Sequence, residues 1–321
     1  MDRTLGWLVG LFIATLPHST AAAAPYPDKP IRVIVPVGTG GGLDRIARSV
    51  VAKLTDSLGH VIVIDNRPGA GGDIGIEKAV QAPPDGYTLL LVSANYVVRA
   101  AMYKVPYDPI GDFAAISQVA SVPLLLVVHT SLPAKSVSEL VTYAKANSGK
   151  LNYSSPGNGS LVHLAGELFK ATSKFDMVHV AYKSVDAAFT DLVSGRIQLT
   201  FTGILTARPH IKSQRLRALA VTSPQRAKAA PEFPTMIEAG VQNFEATQWH
   251  GLLAPKVTPL AIVDLLNREI VKIVRQPELA QRLARDGTEP VGSTRQQFAS
   301  FIKSDLERWQ GVVKRAGIRG D

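Results

Sequence analysis

Residues 31–58 read IRVIVPVGTGGGLDRIARSVVAKLTDSL. The run Ile31 to Val37 is nearly continuous in branched apolar residues, as a strand covered on both faces would be. Beyond the turn Gly38-Thr39-Gly40-Gly41-Gly42, Ile46, Val50, Leu54 and Leu58 recur at helical spacing, with Asp44 in the first turn. Strand, glycine turn and helix start together leave backbone N–H groups aimed at one point, where an anion can sit. A tight strand-to-helix turn alone would also use such glycines. The same arrangement recurs in NYSSPGNGSLVH, residues 152–163, and two such turns suggest the opposed jaws of a clamp.

Outward from this unit, strand-like runs alternate with helical periodicity, which predicts an α/β fold with mainly parallel sheets. Val61 to Ile64, the turn Asn66 to Gly72, a helix over 73–81, and the turn Pro83-Pro84-Asp85-Gly86 lead into a strand over 87–92. That strand ends at Ser93-Ala94-Asn95. After the apolar run Val119 to Val128, Ser136 and Glu139 have capping-box spacing, and a second series begins. It comprises a helix to Asn147, the second glycine turn, a helix to about Thr172, and a strand over 177–181. A helix over 185–194 and strands over 197–201 and 216–222 follow. Another apolar run covers Trp249 to Leu253, and helices are expected over 259–274, 278–286 and 295–316. The pattern predicts two α/β lobes, 25–124 with 252–321 and 125–251.

The first residues read as an export signal: Arg3, a short apolar stretch Leu5 to Leu16, and Ala21 to Ala24 as cleavage sites, giving a signal over 1–24. The apolar stretch is shorter than the ~20 residues needed to span a bilayer. The chain has no cysteine, which excludes disulfides, thiolate metal sites, a cysteine nucleophile and a lipid-anchoring cysteine. A freely diffusing periplasmic protein is therefore expected. The formal net charge of +9 favours solubility and attracts anions. Its basic residues are dispersed, without an aromatic-basic platform, so nucleic acid is not an expected partner.

Nucleotide and hydrolase motifs fail residue by residue. A dinucleotide fingerprint would need glycine at Leu43, Ile74 or Val162, and no Gly-Lys-Ser/Thr sequence precedes a helix. There is no G-x-S-x-G and no H-E-x-x-H. His163 and His179 flank the second turn and read as packing or supporting residues rather than metal ligands; no metal or cofactor is expected. Asp108 and Asp112 read as loop and cap residues. A helix N-terminus gives an anion about 0.3–1 kcal/mol, or up to ~2 when partly buried, and each hydrogen bond to a charged group adds about 1.5–3. Micromolar binding needs about 8 kcal/mol, so two opposed turns suffice for a carboxylate without an arginine.

The chain resembles the Bug receptor family, the extracytoplasmic solute-binding components of tripartite tricarboxylate transporters. The resemblance spans the expected mature chain. It is carried by YPDKPIRVIVP (26–36), GGGLDRIAR (40–48), NRPGAGGDIG (66–75), PDGYTLLL (84–91), PYDP (106–109) and GNGSLVHLAGELF (157–169). HVAYKS (179–184), LRALAVTS (216–223) and GLLAP (251–255) continue it. It implies a two-lobed, Venus-flytrap fold of the periplasmic-binding type II class. A monomer would hold a small carboxylate between its lobes and present the closed form to membrane transporter subunits. The residues it assigns to the cleft are Thr39, Gly40, Gly41, Ser93, Ala94, Ser155, Asn158, Gly159, Ser160 and Thr202.

The chain departs from the family pattern in three places. Gly38-Thr39-Gly40-Gly41 stands where P-P-G-G is usual, Leu161 and Val162 follow Ser160, and Phe201-Thr202-Gly203 stands where many members have F-D-N. Fewer polar side chains lower the cost of burying an apolar ligand. The departures predict an aromatic or short aliphatic carboxylate. A sensor for a signalling ectodomain and a secreted enzyme acting on a carboxylate or ester are the competing readings.

Overall fold

A computed structural model describes residues 26–182, 185–285 and 287–318. The expected export signal at 1–24 lies outside the described residues, as do Lys183 and Ser184 of the HVAYKS match and Asp286 at the end of an expected helix.

Two βα series of the same topology build the molecule. In the first, β1 (Ile31–Val35), α1 (Gly42–Leu58), β2 (Ile62–Asn66), α2 (Asp73–Val80) and β3 (Thr88–Ser93) place β1 between its parallel partners β2 and β3. α3 (Asn95–Met102) follows, then β4 (Phe113–Val122). After Pro123 the chain enters the second sheet as β5 (Leu124–His129). The second series is α4 (Val137–Ala146), β6 (Asn152–Ser155), α5 (Leu161–Ser173), β7 (Val178–Ala181), α6 (Val185–Val193) and β8 (Leu199–Gly203), with β6 between parallel β7 and β8. α7 (Ile204–Lys212) and β9 (Leu216–Val221) complete it. The return strand β10 (Gln248–Pro255) is followed by α8 (Leu260–Val274), α9 (Pro277–Arg285), the short β11 (Glu289–Pro290) and α10 (Arg295–Ala316).

The sheets are ordered β11-β4-β10-β3-β1-β2 and β7-β6-β8-β5-β9. Both are mixed. The βα halves are parallel as expected, whereas β10 runs antiparallel to β3 and β4, and β5 antiparallel to β8 and β9. The crossing strands run antiparallel because each enters its sheet from the other sheet rather than through a helical crossover on its own face. β10 pairs with β4 from Gln248 to Pro255.

Burial follows the pattern that defines these strands. All six residues of β3 are buried, and β1 is buried except at Arg32. α1 lays Leu43, Ile46, Ala47, Val50 and Leu54 on the outer face of the first sheet, against the α8 residues Val263, Leu266 and Ile270. On the other face a single apolar cluster continues from the first sheet into the second. Val97 and Trp249 meet Phe298, Trp309 and Val312 of α10, and the cluster runs on through Leu164 and Phe169 of α5. Phe169 stands edge-on to Phe201 and Phe244, with ring centroids 6.2 Å away in each case. α10 therefore clasps both halves. Its N-terminus is fixed by a capping box between Thr294 and Gln297. Ser136 caps α4 by accepting the Glu139 N–H, but the Glu139 carboxylate reaches the Lys135 N–H, one residue earlier than the box expects.

Candidate functional site

The strand order reverses beside β1 in one sheet and beside β6 in the other, because the helices on either side of that strand cover opposite faces. In open α/β sheets ligands bind at the carboxyl ends of strands at such a switch point. The loops there are residues 36–42 after β1, Ser93-Ala94 after β3, residues 156–160 after β6, and Thr202-Gly203 at the end of β8.

The first loop is closed by its own helix. Gly40, with φ +85°, donates its N–H to Asp44 Oδ2 at 2.8 Å. Asp44 is buried and also takes Arg48 Nε at 2.9 Å and Asn66 Nδ2 at 3.0 Å. Burial alone would raise its pKa; the bonds from Arg48, the Gly40 N–H and Asn66 outweigh burial and hold it below the usual carboxylate range. One donor of the expected anion nest is therefore occupied by the protein's own carboxylate. The N–H groups of Gly41, Gly42 and Leu43 have no hydrogen-bond partner among the described residues, so α1 still offers donors at its N-terminus. Thr39 and Gly41 are exposed.

The second loop uses the same device with different chemistry. Gly159, with φ +72°, donates its N–H to His163 Nδ1 at 3.1 Å, again four residues ahead on the following helix. Ser160 caps α5 by accepting the His163 N–H, and its hydroxyl donates to the Gly157 carbonyl at 2.8 Å. Asn158 is exposed. The N–H groups of Asn158, Leu161 and Val162 have no partner among the described residues. Gly159 also marks where the two halves meet. A Cβ there would lie 3.0 Å from the Met102 thioether at the end of α3, so a side chain would press into it.

Behind this loop, Ser155 Oγ lies 2.7 Å from His179 Nε2. By distance it is a nucleophile–base pair. The Ser155 hydroxyl also has the Gly157 carbonyl as an acceptor at 2.9 Å and takes the Gly157 N–H at 3.2 Å. Burial, with His163 and Lys170 nearby, lowers the His179 pKa to about 4, too weak for a base at neutral pH.

Ser155 and Thr202 meet in one cavity of ≈ 160 Å³ at the ends of β6 and β8. Leu124, Val162, Phe189 and Phe201 give it apolar walls, and Thr200 and Thr206 are its other two hydroxyl residues. A larger groove of ≈ 530 Å³ between the far ends of α4 and α5 lies away from these strand ends and is lined by groups such as Lys145, Lys174 and Asn243. Of the residues expected at the cleft, the structure brings together Ser155, Gly159 and Ser160 in one bonded loop, with Thr202 across the cavity. Ala94 is fully buried, and its backbone N–H bonds the Trp249 carbonyl at 3.0 Å. Ser93 is nearly buried and faces His250 across the antiparallel pair of β3 and β10.

Sequence reading misses Met102 and Tyr103 at the end of α3, Phe189 on α6, and His250. Phe189 sits in an ordinary amphipathic pattern, and His250 lies in an apolar run with no motif of its own. Burial pushes the His250 pKa down to about 4, and its Nδ1 has no partner among the described residues. Arg99 faces Gly71 and Tyr103, yet its guanidinium is already paired with both carboxylate oxygens of Asp73, at 3.0 and 2.7 Å.

A sequence profile described as tripartite tricarboxylate transporter family receptor matches residues 46–318. The chain belongs to that family. Protein BugT of Bordetella pertussis is 36% identical over 99% of both chains. Among solved structures, Rpa4515 of R. palustris with adipate is 33% identical, with a TM-score of 0.73 over 92% of this chain and 99% of that one. MatC from Rhodopseudomonas palustris with bound malate is 29% identical, with a TM-score of 0.70 over 90% of this chain and all of that one. The receptor assignment thus joins a fold with glycine loops at the strand ends of both sheets. Among the described residues, no helix is long and apolar enough to cross a membrane.

Proposed function

We propose that the chain is a periplasmic receptor that captures a small carboxylate with an apolar body between its two lobes and delivers it to the membrane subunits of a tripartite tricarboxylate transporter. The lobes are 25–124 with 252–321 and 125–251; the protein is exported, not lipid-anchored, and monomeric. The cavity of the second lobe carries the chemistry of this reading, and the donors at the start of α1 are the contribution of the first lobe. The cavity has apolar walls from Val162, Phe189 and Phe201, hydroxyls at Ser155, Thr202 and Thr206, and lies beside the free N–H groups that start α5. Such a site holds a carboxylate by backbone donors and helix dipole, and its carbon chain by burial. Adipate and malate, bound by two relatives, belong to this chemical class. The ligand is bound rather than turned over, because burial holds the histidine beside Ser155 at a pKa of about 4, too low for a general base at neutral pH.

Calorimetry or thermal shift with adipate, malate, benzoate, citrate and amino acids tests the reading. Binding should be tightest for an aliphatic dicarboxylate or an aromatic carboxylate. Tight binding of amino acids or citrate alone would overturn it.

A further inference from the structure

Stacked imidazoles sit directly behind the second loop. The His163 and His179 rings lie 3.9 Å apart at 16°, and the Tyr153 ring lies 4.9 Å from His179. Each imidazole holds one part of the loop, His163 through the Gly159 N–H and His179 through Ser155 Oγ. Neither ring lines the cavity, so neither is a ligand group. We propose that His163 and His179 are positioning residues for ligand capture, and that His163 holds the loop in its receiving shape only while its Nδ1 is unprotonated. This rests on the reading that the Gly157–Ser160 loop receives the ligand.

The chemistry is a matter of donors and acceptors. Gly159 presents an N–H, and Nδ1 can accept it only without a proton of its own. A protonated His163 would turn the contact into donor against donor, and a second charge on His179 would face it across 3.9 Å. Burial holds His163 below its ordinary pKa, with Glu167 opposing that and Lys170 reinforcing it. These two α5 groups form an ion pair at 3.0 Å, and Lys170 also pairs with Asp176, just before β7, at 3.0 Å. From β6, the Tyr153 hydroxyl donates to Glu167 at 2.7 Å. The pair is thus neutral at pH 7.5 and becomes charged as the solution is acidified.

Adipate and malate affinities should be measured from pH 7.5 to 5 for the wild type, His163→Asn and His163→Phe. Asparagine places an oxygen near Nδ1 and does not titrate; phenylalanine keeps a stacked ring and has no acceptor. Comparison at each pH cancels protonation of the ligand itself. The expected result is that the asparagine variant binds within about threefold of wild type at pH 7.5. The wild type should then lose at least about twofold more affinity than that variant on going to pH 5, and the phenylalanine variant should bind weakly throughout. A wild-type-to-asparagine ratio that stays constant with pH, or a phenylalanine variant that binds as well as wild type, would overturn the proposal.

Failure of the wild type to bind either acid would count against the ligand reading alone. The positioning role is then tested without ligand, by nitrogen NMR of the imidazoles and the Gly159 amide. His163 should be protonated on Nε2 only, and the Gly159 amide should shift in step with its titration. An unmoved amide while His163 titrates would overturn the proposal.

Discussion

The two loops at the strand ends solve one local problem in two ways. In each, a glycine with positive φ precedes a helix and gives its N–H to a side chain four residues on, Gly40 to Asp44 and Gly159 to His163. The first acceptor is a buried carboxylate held ionised by Arg48 and Asn66. The second is a neutral imidazole stacked on another. The charge of the first acceptor is met by Arg48, and Arg45 donates to the Gly40 carbonyl at 2.9 Å, whereas the second acceptor carries no charge at neutral pH. The apolar cavity lies at the second loop. The first loop contributes α1's remaining donors at Gly41, Gly42 and Leu43.

The largest effect should come from adding a second negative charge to the first loop. Gly41 is the N-cap of α1 at φ −72°, and a Cβ there has open space apart from the Gly38 carbonyl at 4.0 Å. Gly41→Asp should therefore fold normally, with stability unchanged or raised by a few tenths of a kcal/mol, since aspartate is a good N-cap. Its carboxylate would occupy the remaining donors and repel a ligand carboxylate. Affinity should fall at least about 100-fold, near 3 kcal/mol. Calorimetry together with a melting curve checks both halves, and unchanged affinity would place the ligand away from the first loop.

Removing the fixed acceptor tests stability instead. Asp44→Ala removes the acceptor of the Gly40 N–H and one of two acceptors of the Asn66 amide, which keeps the Val37 carbonyl, and it frees Arg48, which is half exposed and can return to water. The expected loss is on the order of 3 kcal/mol in denaturant unfolding. A loss below about 1 kcal/mol would mean that the carboxylate is not the organiser of the first loop. At the second loop, Phe189→Ala should enlarge the cavity and cost roughly tenfold in affinity for adipate, with less effect on malate, whose shorter chain has less to bury. Equal losses for both acids would locate the apolar wall elsewhere.

How much of this was legible depends on how local each feature is. The loops, helix starts and Ser136 cap follow from glycine, serine and apolar spacing within a dozen residues, and sequence reading finds them; the cap at Ser160 it leaves out. α3 and α7 escape it. Asn95 to Met102 follows directly on a buried strand, and Ile204 to Lys212 carries Pro209, a residue that usually ends a helix. Val119 to Val128 reads as one apolar run, but Pro123 divides it between two sheets, because proline cannot supply a ladder N–H. The site is half legible. Ser155, Gly159 and Thr202 stand in motifs, whereas Phe189 and Met102 reach it only through tertiary packing. That Asp44 answers Gly40, rather than only suiting a helix dipole, is a matter of geometry that the spacing leaves open.

The smallest expected effect separates the two acceptors by pH. A group whose folded pKa lies below its unfolded value adds stability that is fully present above the unfolded pKa, and loses it as pH falls from the unfolded pKa to the folded one, because the unfolded chain takes up the proton first. For Asp44 that loss begins only below its ordinary value of 3.8. For His179 it spans pH 6.5 to about 4, and for His163 it begins at the same upper limit. Buried His250 contributes over the same span as His179, so it remains as background. Asp305, bonded to the Trp249 indole at 2.7 Å, has the opposite sign. Burial raises its pKa to about 6, so its contribution falls as pH rises from 3.8 to 6. Comparing variants removes both backgrounds. Between pH 6.5 and 4, His163→Asn combined with His179→Gln should lose less melting temperature than the wild type, by a few degrees. Asp44→Asn should leave that interval unchanged and flatten the curve only below pH 3.8. If the histidine variant instead followed the wild-type slope, the second loop would be as insensitive to pH as the first, and the two acceptors would be equivalent in function.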